Sequence, residues 1–292
     1  MNHSLIKTIV AFFFLNFYVA GFAQLFWKIS GNGLVTPSYL FGTHHLIDKS
    51  QIVDYDKIIA RIDSVDAEVG EMDMTNMLGL QMKMAKAAIM KDIALDNLIS
   101  ENDYKIVAES FDSVVGVSME KLKRMKPAML SALYEVKLYM NATESKKEPA
   151  PADLEFQKRA KKLKKEIIGL ETIDQQMGIL FDSVPLREQA DDLVQTVKNK
   201  QNSIADIQKL TNDYLSGNLD ALNELSINED QMTDAEKKLL IYDRNNNWVE
   251  QFKSLLPHKS CFIAVGCLHL TGEQGLIQQL RNLGYVVTPV EL

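Results

Sequence analysis

Residues 261–290, CFIAVGCLHLTGEQGLIQQLRNLGYVVTPV, contain the pattern that decides the fold. The apolar run from Cys261 to Gly266 predicts a buried strand, and residues 273–282 have the spacing of an amphipathic helix. A second strand is predicted for Tyr285 to Val290, and Thr271 is expected to cap the helix between them. A strand–helix–strand unit of this kind is typical of α/β proteins.

The same patterns extend towards the amino terminus. Strands are predicted for residues 25–30 and 38–43, which form a hairpin around Gly31-Asn-Gly33, and for residues 64–72 and 167–171. Helices are predicted for residues 54–63, 75–140, 174–225 and 233–256, the last of them opened by a capping box at Thr233. We therefore expect one α/β domain over residues 24–292, with a central mixed sheet flanked by helices and a large helical insertion at about 75–160.

Composition limits the function classes. The chain has 292 residues, 46% of them hydrophobic, and a net charge of −7, which argues against a nucleic-acid partner because phosphate binding needs excess Lys and Arg. With 2 Cys and 5 His, a four-cysteine zinc site and a framework of several disulfides are excluded. Cys261 and Cys267 lie on one predicted strand, roughly 20 Å apart, so we expect both thiols to be free.

The first 23 residues have the pattern of a signal peptide. Lys7 precedes the largely apolar run from Ile9 to Ala20, and Gly21-Phe-Ala23 suits cleavage before Gln24. The run is shorter than the about 20 residues that a membrane-spanning helix needs. We therefore expect a periplasmic or secreted protein with no membrane span in its mature form.

A repeated motif holds three of the five histidines. Gly42-Thr-His-His45 and Gly266-Cys-Leu-His269 each follow a predicted strand and each precede a Leu. The carboxyl ends of strands form the edge at which open α/β sheets bind ligands. The repetition in so His-poor a chain favours a shared site over two structural histidines.

Two imidazoles and a carboxylate are a typical metal-binding set. His45 and His269 are the candidate imidazole ligands, and Glu71 is the candidate carboxylate because it also ends a predicted strand. Glu171 and Glu273 are the reserve carboxylates. His44 is the weaker ligand candidate, since it has no counterpart in the second motif.

Arg244 is the candidate cation of the site. Leu240, Arg244, Trp248 and Phe252 recur every four residues, so the guanidinium shares a face with apolar side chains. A buried guanidinium needs a carboxylate or an anionic ligand. We expect Arg244 either to orient Glu71 or Glu171 or to bind a substrate carboxylate. A structural salt bridge, or a side chain that extends to the surface, is equally open. Asn245 is expected to supply a neutral hydrogen bond.

These motifs resemble the TraB/PrgY/GumN family, which includes the Tiki metalloproteases. The resemblance covers residues 25–292 and is carried by the segments 39–45, 67–73, 169–176, 242–245 and 265–275, of which the second Gly-x-x-His with its trailing Gly-Glu-x-Gly is the most specific. It implies a metal-dependent protease in which His45, His269 and Glu71 bind metal or activate water and Arg244 holds the substrate or a developing oxyanion. It favours Mn or Co as the metal, while the ligand set is also compatible with Fe or Zn.

Two functional hypotheses follow. The first is a secreted or periplasmic hydrolase, a peptidase whose bound metal activates water. The second is a protein that sequesters a peptide or a metal-containing ligand without turnover. A carboxylate close to both imidazoles would favour catalysis.

Overall fold

The structure is a computed structural model that describes residues 25–143, 151–227 and 232–292. The predicted signal peptide, residues 1–23, lies outside these ranges and stays a prediction. In the described ranges, no helix is long and apolar enough to cross a membrane.

A mixed sheet forms the centre of the fold, as predicted. Its strands are β1 (Phe26–Ser30), β2 (Ser38–Thr43), β3 (Ala67–Gly70), β4 (Glu166–Gly169), β5 (Cys261–Gly266) and β6 (Val286–Pro289). They lie in the order β4-β3-β5-β2-β1-β6. β1 pairs antiparallel with β2 and β6, whereas β2, β5, β3 and β4 are parallel neighbours. The carboxyl ends of these four strands therefore meet at one edge of the sheet.

Helices fill most of the remaining described chain. They are α1 (Tyr55–Ile59), α2 (Met77–Ala87), α3 (Glu101–Val114), α4 (Met119–Leu122), α5 (Pro127–Ala142), α6 (Ala152–Lys162), α7 (Ile173–Phe181), α8 (Leu186–Lys198), α9 (Lys200–Leu215), α10 (Leu219–Ile227), α11 (Asp234–Lys237), α12 (Asp243–Leu255) and α13 (Leu276–Asn282). A π-helical turn, Lys238–Tyr242, joins α11 to α12. The capping box predicted at Thr233 opens this composite helix.

Helices cover both faces of the sheet, which explains why its strands are apolar on both sides. In β5, the odd-numbered residues Cys261, Ile263 and Val265 pack on the face covered by α12 and α13. Phe262 and Ala264 point to the opposite face, which α6 and α9 cover. Burial from both sides makes the strand ends the part of the sheet that is open to ligands.

A third hydrophobic core lies away from the sheet. It is built mainly by α3, α5 and α8, with Phe111, Leu130, Tyr134 and Leu193 among its buried members. α6, which lies at the end of the range 75–160 expected for the insertion, packs instead on the sheet. The boundaries 75–160 stay a prediction, but packing groups the helices across a wider stretch of the chain.

The segment after β5 differs from its prediction. Thr271 does not cap a helix: α13 begins at Leu276 with Gly275 as its N-cap residue, and the Thr271 hydroxyl donates instead to the Leu268 carbonyl. The Asn245 side chain holds the intervening turn by donating to the carbonyls of His269 and Gln274. The helix therefore begins further along the chain than predicted. The cysteines are free and buried, as predicted.

Candidate functional site

The two Gly-x-x-His motifs lie side by side. β2 and β5 pair in parallel with Thr43 opposite Gly266, so the residues that follow each strand enter the same edge of the sheet. A Cβ atom on Gly42 would approach the Cα of Cys267 to 3.1 Å, which shows how closely the two strand ends pack. His45 and His269 consequently line one cavity of about 330 Å³.

Carboxylates come to this edge from the neighbouring strands. Glu71 follows β3 and lines the same cavity, and Glu171 follows β4. The Oε1 atom of Glu71 lies 4.0 Å from the Nε2 atom of His269. Five predicted site residues therefore line the cavity, namely His44, His45, Glu71, Arg244 and His269. Glu273 is exposed in the turn before α13 and does not line it.

Arg244 joins the two carboxylates. Its Nε and Nη2 atoms donate to both oxygens of Glu171 at 2.8 and 2.9 Å, and Nη2 also donates to Glu71 Oε2 at 2.6 Å. The guanidinium stacks 4.8 Å from the Trp248 ring centre, and the Trp248 indole N–H donates to Glu171. Both predicted carboxylate partners are thus present. Arg244, Glu71 and Glu171 together carry a formal charge of −1, and the ring of His45, whose pKa is raised to about 9, is a further cation that acts on Glu71.

The π-helical turn directs Arg244 into this position. The carbonyl of Leu240, within the turn, accepts a hydrogen bond from Arg244 Nη1 at 3.2 Å. π-helical turns inside α-helices are frequent at functional sites. Here the turn places Leu240, Ile241 and Arg244 together on the cavity wall.

His269 has a defined proton position. Its Nδ1 atom lies 2.7 Å from Asn245 Oδ1, while the Asn245 amide nitrogen is engaged by two carbonyls, so Nδ1 carries the proton and donates. Its Nε2 atom accepts from Arg244 Nη1 at 3.2 Å. Burial lowers the pKa of His269 to about 3, so the ring is neutral at neutral pH. Asn245 therefore has a positioning contact with His269.

Glu71 is held as an anion. Burial raises its pKa, but the charge of His269, which is protonated below about pH 3, the charges of Arg244 and His45, and the Gly266 N–H outweigh burial and bring the pKa down to about 2. The Gly266 N–H donates to Oε1 at 2.9 Å, and the Gln176 amide donates to Oε2 at 3.0 Å. A carboxylate with so low a pKa is a weak proton acceptor at neutral pH and a good partner for a cation.

The first motif presents its two histidines differently. The His45 side chain is 69% exposed, and its Nδ1 atom lies 3.4 Å from Asp153 Oδ2, a contact that raises the pKa of the ring. His44 is buried, its Nδ1 atom accepts from the Leu46 N–H, and burial lowers its pKa to about 4. His44 therefore shapes the loop from inside, and His45 is the imidazole open to the cavity mouth.

Three contributors were not predicted as site residues. Asp153 lies in α6, and Gln176, which lies in α7, was named only within a segment that carries the family resemblance. Trp248 was identified only as a member of an apolar face. No local motif marks Asp153 or Gln176 as partners of His45 and Glu71. The single available signal was that both polar residues lie on otherwise apolar helix faces, where burial requires a partner.

The donor set meets some requirements of a metal site. Both motif imidazoles have Nδ1 near an acceptor oxygen, the usual arrangement when Nε2 binds a metal. The pKa of His45 is raised to about 9 by its contact with Asp153, so this ring must lose a proton before Nε2 can bind a metal. However, Arg244 Nη1 occupies the Nε2 lone pair of His269. Among the residues that the structure describes, no group of three or more His, Cys, Asp or Glu side chains is arranged to hold a metal ion. The metal ligands therefore stay a prediction.

The chain matches the model of a known protein family. The model of the TraB/PrgY/gumN family matches residues 25–289, nearly the whole chain. No curated protein and no solved structure matches the chain.

Proposed function

The chain belongs to the TraB/PrgY/gumN family, and on this premise we propose that it is a metal-dependent hydrolase of peptides. The observation that carries the proposal is the meeting of His45, His269 and Glu71 at one cavity, at the carboxyl edge of neighbouring parallel strands. Export to the periplasm or the exterior is part of the proposal and rests on the pattern of residues 1–23.

The cavity has the character of a peptide-binding site. Its wall is mostly apolar, with Leu46, Leu180, Leu210, Leu240, Ile241 and Leu268 among the lining residues. Its polar groups converge around Glu71 and His269, while His45 stands at the mouth. An apolar wall with a few convergent polar groups is typical of ligand sites, and here it would receive a side chain while the polar groups face the peptide backbone.

A divalent metal, Mn or Co by resemblance, with Fe or Zn as further candidates, is the cofactor of this proposal. His45, His269 and Glu71 would hold it, and it would polarise a scissile carbonyl and lower the pKa of a bound water. Because the Nε2 lone pair of His269 cannot bind a metal and accept from Arg244 together, binding requires Arg244 Nη1 to release His269. Glu171 would still hold the guanidinium through its other nitrogens.

The protein groups then have distinct roles. Glu71, with a pKa of about 2, acts as an anion that holds a cation and not as the base that removes a proton from water. Arg244 fixes Glu71 and carries a positive charge at the cavity, where negative charge develops on a carbonyl oxygen under attack. Asn245 keeps the Nε2 atom of His269 free of a proton.

A second candidate function has its own support. Glu71 and His269 are already engaged by Arg244, Gln176, Asn245 and Gly266. A site that is fully hydrogen-bonded before substrate arrives also suits a protein that binds a peptide or a metal-containing ligand and does not turn it over.

A cleavage screen separates these functions. Purified protein is analysed for bound metal and incubated with a peptide library, with and without chelator and with Mn²⁺ or Co²⁺ added back. We expect cleavage that chelation abolishes and metal restores. His269→Ala should lose it, and His258→Ala, the same change at an exposed loop histidine, should keep it.

Other outcomes would reject the proposal. Stoichiometric peptide binding without products would establish the sequestering function instead. Cleavage that survives in His269→Ala would place the reaction elsewhere in the chain.

A further inference from the structure

The two motif histidines share an arrangement at Nδ1. His269 donates from Nδ1 to the amide oxygen of Asn245, which comes from α12. His45 has the carboxylate of Asp153 at its Nδ1, and Asp153 comes from the first turn of α6. Two unrelated helices thus place an acceptor oxygen at the same ring atom of two equivalent histidines.

Asp153 is unusual in its surroundings. The residue is 9% exposed, and its Oδ2 atom is buried with no hydrogen-bond partner in the described parts of the chain. A buried carboxylate oxygen without a partner is costly, so it needs a donor nearby. The Nδ1 atom of His45 lies 3.4 Å from this oxygen, and a small rotation of the ring would complete a hydrogen bond between them.

His45 needs such a partner more than His269 does. His269 is 5% exposed and packs against the Trp248 ring, with 4.4 Å between ring centres. His45 is exposed, so packing does not fix its ring, and an unheld imidazole would change both its rotamer and its tautomer.

We propose that Asp153 is the positioning residue of His45: it holds the Nδ1 proton and so presents Nε2 to the cavity, as Asn245 does for His269. The inference rests on the proposed function, since it assumes that His45 acts in the cavity. Acceptors of this kind fix ring orientation, and their removal lowers metal affinity about 10- to 100-fold.

The tautomer of His45 tests the positioning role directly. Protein with ¹⁵N-labelled histidine is examined by NMR at a pH where the His45 ring is neutral, for the unaltered chain, Asp153→Ser and Asp153→Asn. Serine is accepted near helix starts but is too short to reach the ring. We expect Nδ1–H in the unaltered chain, a shift towards Nε2–H in Asp153→Ser, and recovery of Nδ1–H in Asp153→Asn, whose amide oxygen can accept as that of Asn245 does.

The matched control is Glu155→Gln. It removes a carboxylate from the same first turn of α6, but Glu155 pairs with Lys49 and Lys158 and not with His45. Its His45 tautomer should equal that of the unaltered chain. Calorimetry with Mn²⁺, at a pH where the His45 ring is neutral in every variant, supplies the second readout. We expect an affinity about 10- to 100-fold weaker in Asp153→Ser and an intermediate value in Asp153→Asn.

The outcomes separate the two proposals. An unchanged His45 tautomer in Asp153→Ser would overturn the positioning role, whatever the metal data show. A changed tautomer in a protein that binds no Mn²⁺ and cleaves no peptide would leave Asp153 as the positioning residue and reject the metal-dependent hydrolase.

Discussion

The replacement Arg244→Met tests the idea that this guanidinium holds the site together. Arg244 is 7% exposed and makes three hydrogen bonds to two carboxylates, Glu71 and Glu171, whose side chains are 13% and 8% exposed. Methionine keeps much of the volume but leaves Glu71 and Glu171 without their shared cation. Removing one partner of a buried ion pair costs roughly 3 to 5 kcal/mol. The pKa of Glu71 is lowered from 4.5 to about 2, which corresponds to about 3 kcal/mol of stabilisation of the ionised carboxylate. Arg244 supplies a part of this stabilisation.

The chain contains a matched control for this experiment. Arg159 makes the same forked contact with Asp63, at 2.9 and 2.5 Å, but the two side chains are 33% and 43% exposed. Exposed pairs contribute about 0 to 1 kcal/mol. Urea unfolding at neutral pH should therefore show a loss of roughly 3 to 5 kcal/mol for Arg244→Met and under about 1 kcal/mol for Arg159→Met. Equal losses for the two variants would refute the reasoning.

Three further predictions concern stability near the site. Tyr214→Phe removes the buried hydroxyl that donates to the Gly42 carbonyl at 3.0 Å, and a loss of about 1 to 2 kcal/mol is expected in urea unfolding. Gly42→Ala should lower the free energy of unfolding by about 1 to 3 kcal/mol, because the new Cβ would meet Cys267 Cα at 3.1 Å. Gly266→Ala should lower it less, since its nearest contact is at 3.4 Å. The reverse order would contradict the packing argument. The folded pKa of Glu71 lies below its unfolded value, so its contribution is present above pH 4.5 and is lost towards pH 2. The difference in free energy of unfolding between the unaltered chain and Glu71→Gln should therefore become smaller as the pH falls from 4.5 towards 2. A constant difference would contradict the lowered pKa of Glu71.

The meeting of the two motifs was predictable from the sequence. Strand patterns fix which residues follow β2 and β5, and parallel pairing of neighbouring strands brings those residues to one edge. The same reasoning placed Glu71. The apolar face of α12 indicated that a buried Arg244 would need a carboxylate or an anionic ligand, and Glu71 and Glu171 are the partners in the structure.

Other parts of the site depend on packing that a sequence pattern does not specify. Asp153 reaches His45 only because α6 packs on the sheet with its first turn beside the residues that follow β2. This position depends on the fit of side chains that are more than 100 residues apart in sequence. Glu273 was a reserve carboxylate for the site, but the turn that Asn245 holds directs it to solvent. Which carbonyls a side chain will bond is a tertiary property, and local propensity gives no measure of it.

The π-helical turn at Lys238–Tyr242 makes the site sensitive to chain length. Successive residues of an α-helix are rotated by about 100° around its axis. Deleting one residue from a regular helix would rotate one part of it against the other by that angle. The π-helical turn holds one residue more than an α-helical turn, so the same deletion within it would give regular α-helix and would keep α11 and α12 close to their present mutual orientation. Leu240 and Ile241 would change position on the cavity wall, while the capped start at Thr233 would stay in place. Substitutions in this segment change one side chain at a time, whereas a single deletion in the turn would rearrange this part of the cavity wall as a unit.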